Sequence, residues 1–220
     1  MHCCFGSDIH QMSNLPVYFL VVFITSVTPG AGVLYTVSSG LRGGLRTMIF
    51  APLGNLMGVT TVSAISATGL GAMIAASPAL YAVLQLAGAG VLFWLGWRNF
   101  SAPALDLARM GAAVDERRSS GRDIFLGAAL LQATNPMLIV FLLSLFPQFI
   151  EPQGSYAVQA TLLIAIFAGV CFCVHIAYSF LAAYGSRYLS GPRFSWWLNR
   201  VSAVLFWLLG LSVVWKALAG

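Results

Sequence analysis

The sequence predicts an all-α integral membrane protein with six transmembrane helices arranged as two inverted three-helix repeats. Composition is the first observation behind this: 59% of the 220 residues are hydrophobic and 8% are charged, whereas soluble domains carry about 25% charged residues. The second is segregation. Residues 9–41, 47–97, 124–150, 152–186 and 201–215 contain no Asp, Glu, Lys or Arg, and a spanning helix needs only roughly 20 apolar residues. The third is the order of basic and neutral connections, which reverses halfway along the chain.

Residues 1–11 differ in character from the remainder of the chain and read as a dispensable N-terminal extension, with Met12-Ser13-Asn14 an equally natural start. Cys3-Cys4 lies in that extension and carries no functional expectation. Spans are expected over residues 15–38, 48–75, 79–97, 124–147, 155–184 and 194–218. The 47–97 run is long enough for two spans, broken near Ser77-Pro78. In hydrocarbon each segment must satisfy its own backbone polar groups, so these runs should be helices. The alternating pattern of a membrane barrel is absent. The first span is too long, and wrongly flanked, for a cleaved signal peptide.

Arg42 and Arg46 follow the first span, and Arg98, Arg109, Arg117, Arg118 and Arg122 follow the third. Arg187, Arg193 and Arg200 surround the junction of the fifth and sixth, which leaves only Lys216 on the opposite side. This ten-to-one bias places both termini outside under the positive-inside rule. The net charge of +5 therefore reflects topology and not a nucleic-acid surface. Trp196, Trp197 and Trp215, near span ends, fit an aromatic belt.

Residues 12–97 form the first expected repeat, 98–123 a cytoplasmic linker and 124–220 the second repeat. In the first half the basic connection precedes the neutral one at Ala76-Ser77-Pro78. In the second half the neutral connection around Glu151-Pro152-Gln153-Gly154 comes first. Three spans is an odd number, so the second half enters the membrane in the opposite sense, as in the inverted repeats of secondary transporters.

Helix breakers fall in the first and fourth spans, which are counterparts. They are Thr28-Pro29-Gly30 and Thr134-Asn135-Pro136. A proline inside a helix removes an amide donor and costs about 3 kcal/mol, so two breaks at matching depth suggest a shared purpose. Thr28, Pro29, Gly30, Thr134, Asn135 and Pro136 are the candidate substrate-binding residues, supplying hydroxyl, amide and freed backbone groups near the midplane but no charge. The competing reading is a pair of ordinary packing kinks.

All six carboxylates, Asp8, Asp106, Asp115, Glu116, Asp123 and Glu151, lie outside the spans or at their margins. This argues against a cation pump and favours solutes that compensate their own charge, such as zwitterions. His175 is the only imidazole in a span and the candidate coupling residue, although a packing histidine satisfied by neighbours is the favoured reading. Cys171 and His175 share a helix face. A soft-metal site wants three or four ligands, and no further cluster exists, so no metal and no cofactor is expected. Asn55, Gln85, Gln132 and Gln159 are further amides in the spans, where bonding between helices is their commoner use. Gly54 and Gly58 allow close helix approach.

Several segments together resemble the amino-acid exporters of the LysE type, the group that includes the homoserine, threonine and lysine exporters. They are Thr28-Pro29-Gly30, the glycines at 40, 44, 54 and 58, Ala67-Thr68-Gly69-Leu70-Gly71-Ala72, and Gly88-Ala89-Gly90 running to Trp94-Leu95-Gly96. Asn135-Pro136 and Pro147-Gln148-Phe149 complete the set, so the likeness extends from Met12 over nearly the whole chain. The resemblance implies a bacterial inner-membrane carrier that expels amino acids or close derivatives, driven by the proton gradient. Its partners would be a small-molecule amino acid and the lipid bilayer, with no nucleic acid; a homo-oligomer is compatible with it. Two positions depart from the family pattern. Pro29-Gly30-Ala31 stands where Pro-Gly-Pro is usual, and Asn135-Pro136-Met137 where Asn-Pro-Lys is usual, so Met137 carries no assigned role.

Two alternatives from other classes are a thiol-relay membrane enzyme and a passive solute channel. A relay needs two cysteines that meet near the membrane middle, but Cys171 and Cys173 are two apart on one helix and point to different faces. Flux against a gradient separates a carrier from a channel.

Overall fold

The computed structural model describes residues 14–43, 48–103, 120–151, 154–183 and 192–219, and all regular structure among them is helical. The expected N-terminal extension, most of the 98–123 linker, and Arg46, Arg109, Arg117, Arg118 and Arg187 lie outside the described residues.

Helix α1 (Leu15–Val27) opens with Pro16 in its first turn, where a missing amide removes no intrahelical bond. It stops because Thr28, restricted by the following Pro29, is extended at φ −65° and ψ 129°. The chain restarts as α2 (Ala31–Gly43), bent 52° from α1. Helices α3 (Phe50–Ala76) and α4 (Pro78–Ser101) are separated by Ser77, extended at φ −167° and ψ 129° ahead of Pro78.

Helix α5 (Gly121–Ala133) begins on a capping box. The Asp123 amide donates to Ser120 Oγ at 3.2 Å, and the Ser120 amide donates to Asp123 Oδ2 at 3.1 Å. After Thr134 the chain turns by 53° into α6 (Pro136–Leu145), whose start is capped by Asn135 Oδ1, accepting from the amides of Met137 at 3.0 Å and Leu138 at 3.4 Å. A 3-10 turn, Phe146–Gln148, comes next. The long helices α7 (Tyr156–Ala183) and α8 (Pro192–Ala219) complete the described chain, each 28 residues long, or about 42 Å against a hydrocarbon core of about 30 Å.

Phe50–Met73, Tyr156–Ala183 and Ser195–Trp215 are each long and apolar enough to cross a membrane. The bent pairs α1/α2 and α5/α6, each taken as one span, bring the number to five. Helix α4, with 24 residues, overlaps the expected span at 79–97 but is not among these candidate spans. The expected spans over 15–38 and 124–147 are pairs of half-helices, interrupted at the two breaks the sequence marks, where an extended residue precedes each proline.

Contacts between helices give their relative directions. Gly54 meets Phe125 and Gly58 meets Ala129, so α3 and α5 run parallel. The Tyr18 hydroxyl donates to the Leu163 carbonyl at 2.9 Å and the Tyr178 hydroxyl to the Val27 carbonyl at 2.7 Å, so α1 and α7 also run parallel. Asn55 reaches His175 and Gly71 meets Tyr156, which makes α3 and α7 antiparallel. Gly96 meets Ala203 and Gly210 meets Ala89, which makes α4 and α8 antiparallel. Each long second helix therefore lies along the broken span of the other half.

The main core collects Tyr18, Leu92, Leu142, Phe146 and Leu163, all fully buried. Large apolar side chains such as Phe19, Val83, Leu130 and Leu208 are exposed on the outside, as suits a surface bathed by lipid tails.

Candidate functional site

The two breaks open onto one cavity of about 330 Å3. Thr28, Pro29 and Gly30 line it from the first break, and Gln132, Asn135 and Met137 from the second. Helix α7 contributes Cys171 and His175, α4 contributes Arg98 and Asn99, and α8 contributes Asn199. Phe141, Phe167 and Phe206 provide apolar surface. The first turn of α2 (Ala31, Gly32 and Val33) also faces the cavity, and the amides of a helix's first turn have no intrahelical acceptor.

His175 sits deep in this wall, only 3% exposed. Asn55 Nδ2 lies 2.6 Å from His175 Nδ1 and donates to it, while the same amide nitrogen donates to Thr36 Oγ1 at 2.8 Å. Thr36 Oγ1 is 2.9 Å from the same ring nitrogen. Asn55, Thr36 and His175 thus form one buried polar cluster. No carboxylate among the described residues joins this cluster. Gly32 lets it come close: a Cβ there would stand 3.0 Å from both His175 Cε1 and Gln132 Nε2.

The structure treats the sequence candidates unequally. Thr28, Pro29, Gly30, Asn135 and His175 line the cavity, whereas Thr134 and Pro136 do not. Thr134 is exposed, and its hydroxyl donates to the Leu130 carbonyl of its own helix at 2.7 Å. Thr28 spends its single proton on the Ile24 carbonyl at 2.7 Å and so accepts from the Ser202 hydroxyl. Asn135 uses its oxygen as the cap of α6 and leaves its amide nitrogen 3.4 Å from Gln132 Oε1. The first break is also closed by α7, since Tyr178 satisfies the Val27 carbonyl that the end of α1 frees.

By sequence the vicinity of the breaks carries no charge, yet the folded wall contains Arg98. In the sequence that arginine counts only as a topological charge at the end of a span. Gln132 and Asn55 are visible there as amides in spans without a partner, and Asn199 and Gly32 carry no signal. Cys171 is buried on the cavity wall and Cys173 is exposed, and both thiols are free. Among the described residues no group of three or more His, Cys, Asp or Glu side chains gathers.

A family model described as LysE type translocator matches residues 23–217. The chain is 33% identical over 196 residues to a homoserine/homoserine lactone efflux protein of Salmonella typhimurium, covering 88% of this chain and 92% of the relative. It is 30% identical to an uncharacterized membrane protein of Vibrio cholerae, covering 88% and 93%. A leucine efflux protein of an Enterobacter species is 25% identical, with 82% and 84% covered. No solved structure matches the chain. A match this extensive, on an apolar helical scaffold, makes the chain a membrane transporter and not an enzyme: it belongs to the LysE type translocator family.

Proposed function

We propose that this protein exports amino acids or close derivatives across a bacterial inner membrane, taking solutes that are neutral overall and driven by the proton gradient. The observation that carries this is the single cavity walled by both broken spans. At about 330 Å3 it lies at the small end of ligand pockets, about 300–1,000 Å3. Its described wall offers amides, helix-end backbone groups and one guanidinium, but no carboxylate. Such a wall suits a solute with an ammonium for the C-terminal end of α1, where Thr25 and Ser26 line the cavity, and a carboxylate for donors. The names of the relatives, homoserine/homoserine lactone efflux and leucine efflux, point to the same class.

The two halves act as inverted repeats in this reading. Support comes from the opposed directions of α3 and α7 and of α4 and α8, and from the bends of 52° and 53° in counterpart spans. Both termini lie outside and the 98–123 linker is cytoplasmic. Consistent with one basic face, the Arg200 guanidinium donates to the Phe100 carbonyl, joining the basic ends of α4 and α8. His175 is the candidate coupling residue, held in place by Asn55 and Thr36.

The test is efflux from proteoliposomes loaded with labelled homoserine, threonine or leucine under an imposed proton gradient. Saturable efflux against the solute gradient, abolished by uncoupler, is the expected result. Flux that only runs downhill and does not saturate would identify a channel, and no flux of any amino acid would remove the proposal.

A further inference from the structure

Arg98 is the one charged side chain on the described cavity wall. It stands in the last turn of α4 and crosses to the other half, where its Nη1 lies 2.7 Å from Met137 Sδ at the start of α6. Its Cζ is 5.9 Å from the centroid of the Trp94 ring. A thioether and a ring face offer soft contacts to a guanidinium, but neither is an anion. The described carboxylates do not pair with it: Asp123 is held by Ser120, and Glu151 belongs to the distant connection that bonds Gln159. An arginine that only anchors a span end reaches outward to the headgroups. Arg98 is exposed too, but it also lines the cavity together with Asn99, Asn135 and the first turn of α2.

We infer that Arg98 receives the carboxylate of the transported solute and makes a free carboxylate the feature by which solutes are selected. The inference rests on the cavity being the solute site of an amino-acid exporter. A guanidinium presents two parallel N–H donors that fit a carboxylate, and such charge-assisted pairs are the strong ones. The carboxylate binds at the rim, and the ammonium extends toward the neutral amides and carbonyls of the breaks. Solutes with the carboxylate blocked, as amide, ester or lactone, lose this charge-assisted contact and keep the ammonium; the amide and ester also keep the side chain intact. The position of Met137 adds a geometric corollary. Its side-chain end touches the guanidinium, so a lysine at 137 would place an ammonium in nearly the same spot.

The experiment compares homoserine with homoserine lactone, and leucine with leucinamide, in proteoliposomes of equal protein content. Wild type should show the lower KM for each free acid. Arg98→Gln should raise KM for homoserine and leucine about 10- to 100-fold, leave KM for the lactone and the amide unchanged, and change kcat little. Arg98→Gln combined with Met137→Lys should recover most of the lost affinity for the free acids. A structural role would instead raise KM for acid and blocked solute alike, with no recovery in the double variant, and that result overturns the inference. Unchanged KM for the free acids in Arg98→Gln overturns it too, while wild-type export leaves the exporter reading standing. If wild type exports none of the four solutes, the inference falls, and the exporter reading falls with it only when no other amino acid is exported.

Discussion

The packing of α3 on α5 depends on the absence of side chains at two glycines, and Gly58→Ala tests this with one methyl group. A Cβ at Gly58 would stand 2.6 Å from the Ala129 carbonyl oxygen and 2.7 Å from Gln132 Cβ. Ordinary contact begins near 3.4 Å, so the helices must part locally by about 3.4 − 2.6 = 0.8 Å. The obstructing atom is backbone, which no rotamer change can move, so the cost belongs in the upper part of the about 1–3 kcal/mol range for overpacking. Alanine gains at most about 1 kcal/mol in helix propensity over glycine, leaving a net loss of about 1–2 kcal/mol. For a chain of this size that lowers Tm by about 2–8 °C. Gly69 has nothing within 4 Å of its Cβ position, so Gly69→Ala should leave Tm unchanged or slightly raised. Thermal unfolding of both variants in the same detergent is the assay, with efflux measured alongside. Gln132 lies on the cavity wall, so Gly58→Ala should also slow efflux in surviving protein. Equal Tm values for the two variants would refute the close-packing argument.

Other outcomes rest on single hydrogen bonds and on topology. Asn135→Ala should cost about 1 kcal/mol by removing the cap of α6, while Asn135→Ser keeps an acceptor and should unfold near the wild-type temperature; the same Tm loss in both would discount the cap. Tyr178→Phe leaves the Val27 carbonyl unpaired and should cost about 1–3 kcal/mol in denaturant unfolding, with KM for solute little changed. His175→Ala should yield an inserted protein, about 1–3 kcal/mol less stable because Asn55 loses its acceptor, with efflux partly reduced. Loss of proton-driven efflux with counterflow intact would make His175 the coupling residue. Reporter fusions at Gly220 and within residues 112–120 should give opposite sidedness, and matching sidedness would sink the six-span topology.

The breaks are legible in the sequence because proline acts on its immediate neighbours. An extended residue precedes each proline, Thr28 in one case and Asn135 in the other, whatever surrounds them. What closes each break is not legible. Tyr178 is 151 positions from the Val27 carbonyl it satisfies, and nothing in α7 distinguishes that tyrosine from its neighbours. The reason is physical: a helix that is apolar all round carries no stripe marking which face meets protein and which meets lipid. Hence the amides stand out in the sequence but their uses do not. Asn55 bonds His175 and Thr36, Gln85 donates to the Pro147 carbonyl at 3.0 Å, and Gln159 Oε1 accepts from the Glu151 amide at 2.7 Å. Gly54 and Gly58 announce a close approach without saying that Phe125 and Ala129 make it. Thr134 joins the candidate site by its place beside Asn135, yet its side chain turns back to its own helix.

The lengthwise pairing of α3 with α5 and of α1 with α7 bears on how the chain assembles as it is made. Gly54 and Gly58 have no surface to lie against until Phe125 and Ala129 have been synthesised, and the Val27 carbonyl waits for Tyr178. Helices α1 to α4 are therefore made before their tightest neighbours and must be held in the bilayer while the others arrive. Neither half completes its own interior. Residues 12–97 and 124–220, made as separate chains in one cell, should each be short-lived alone and rescue one another when made together.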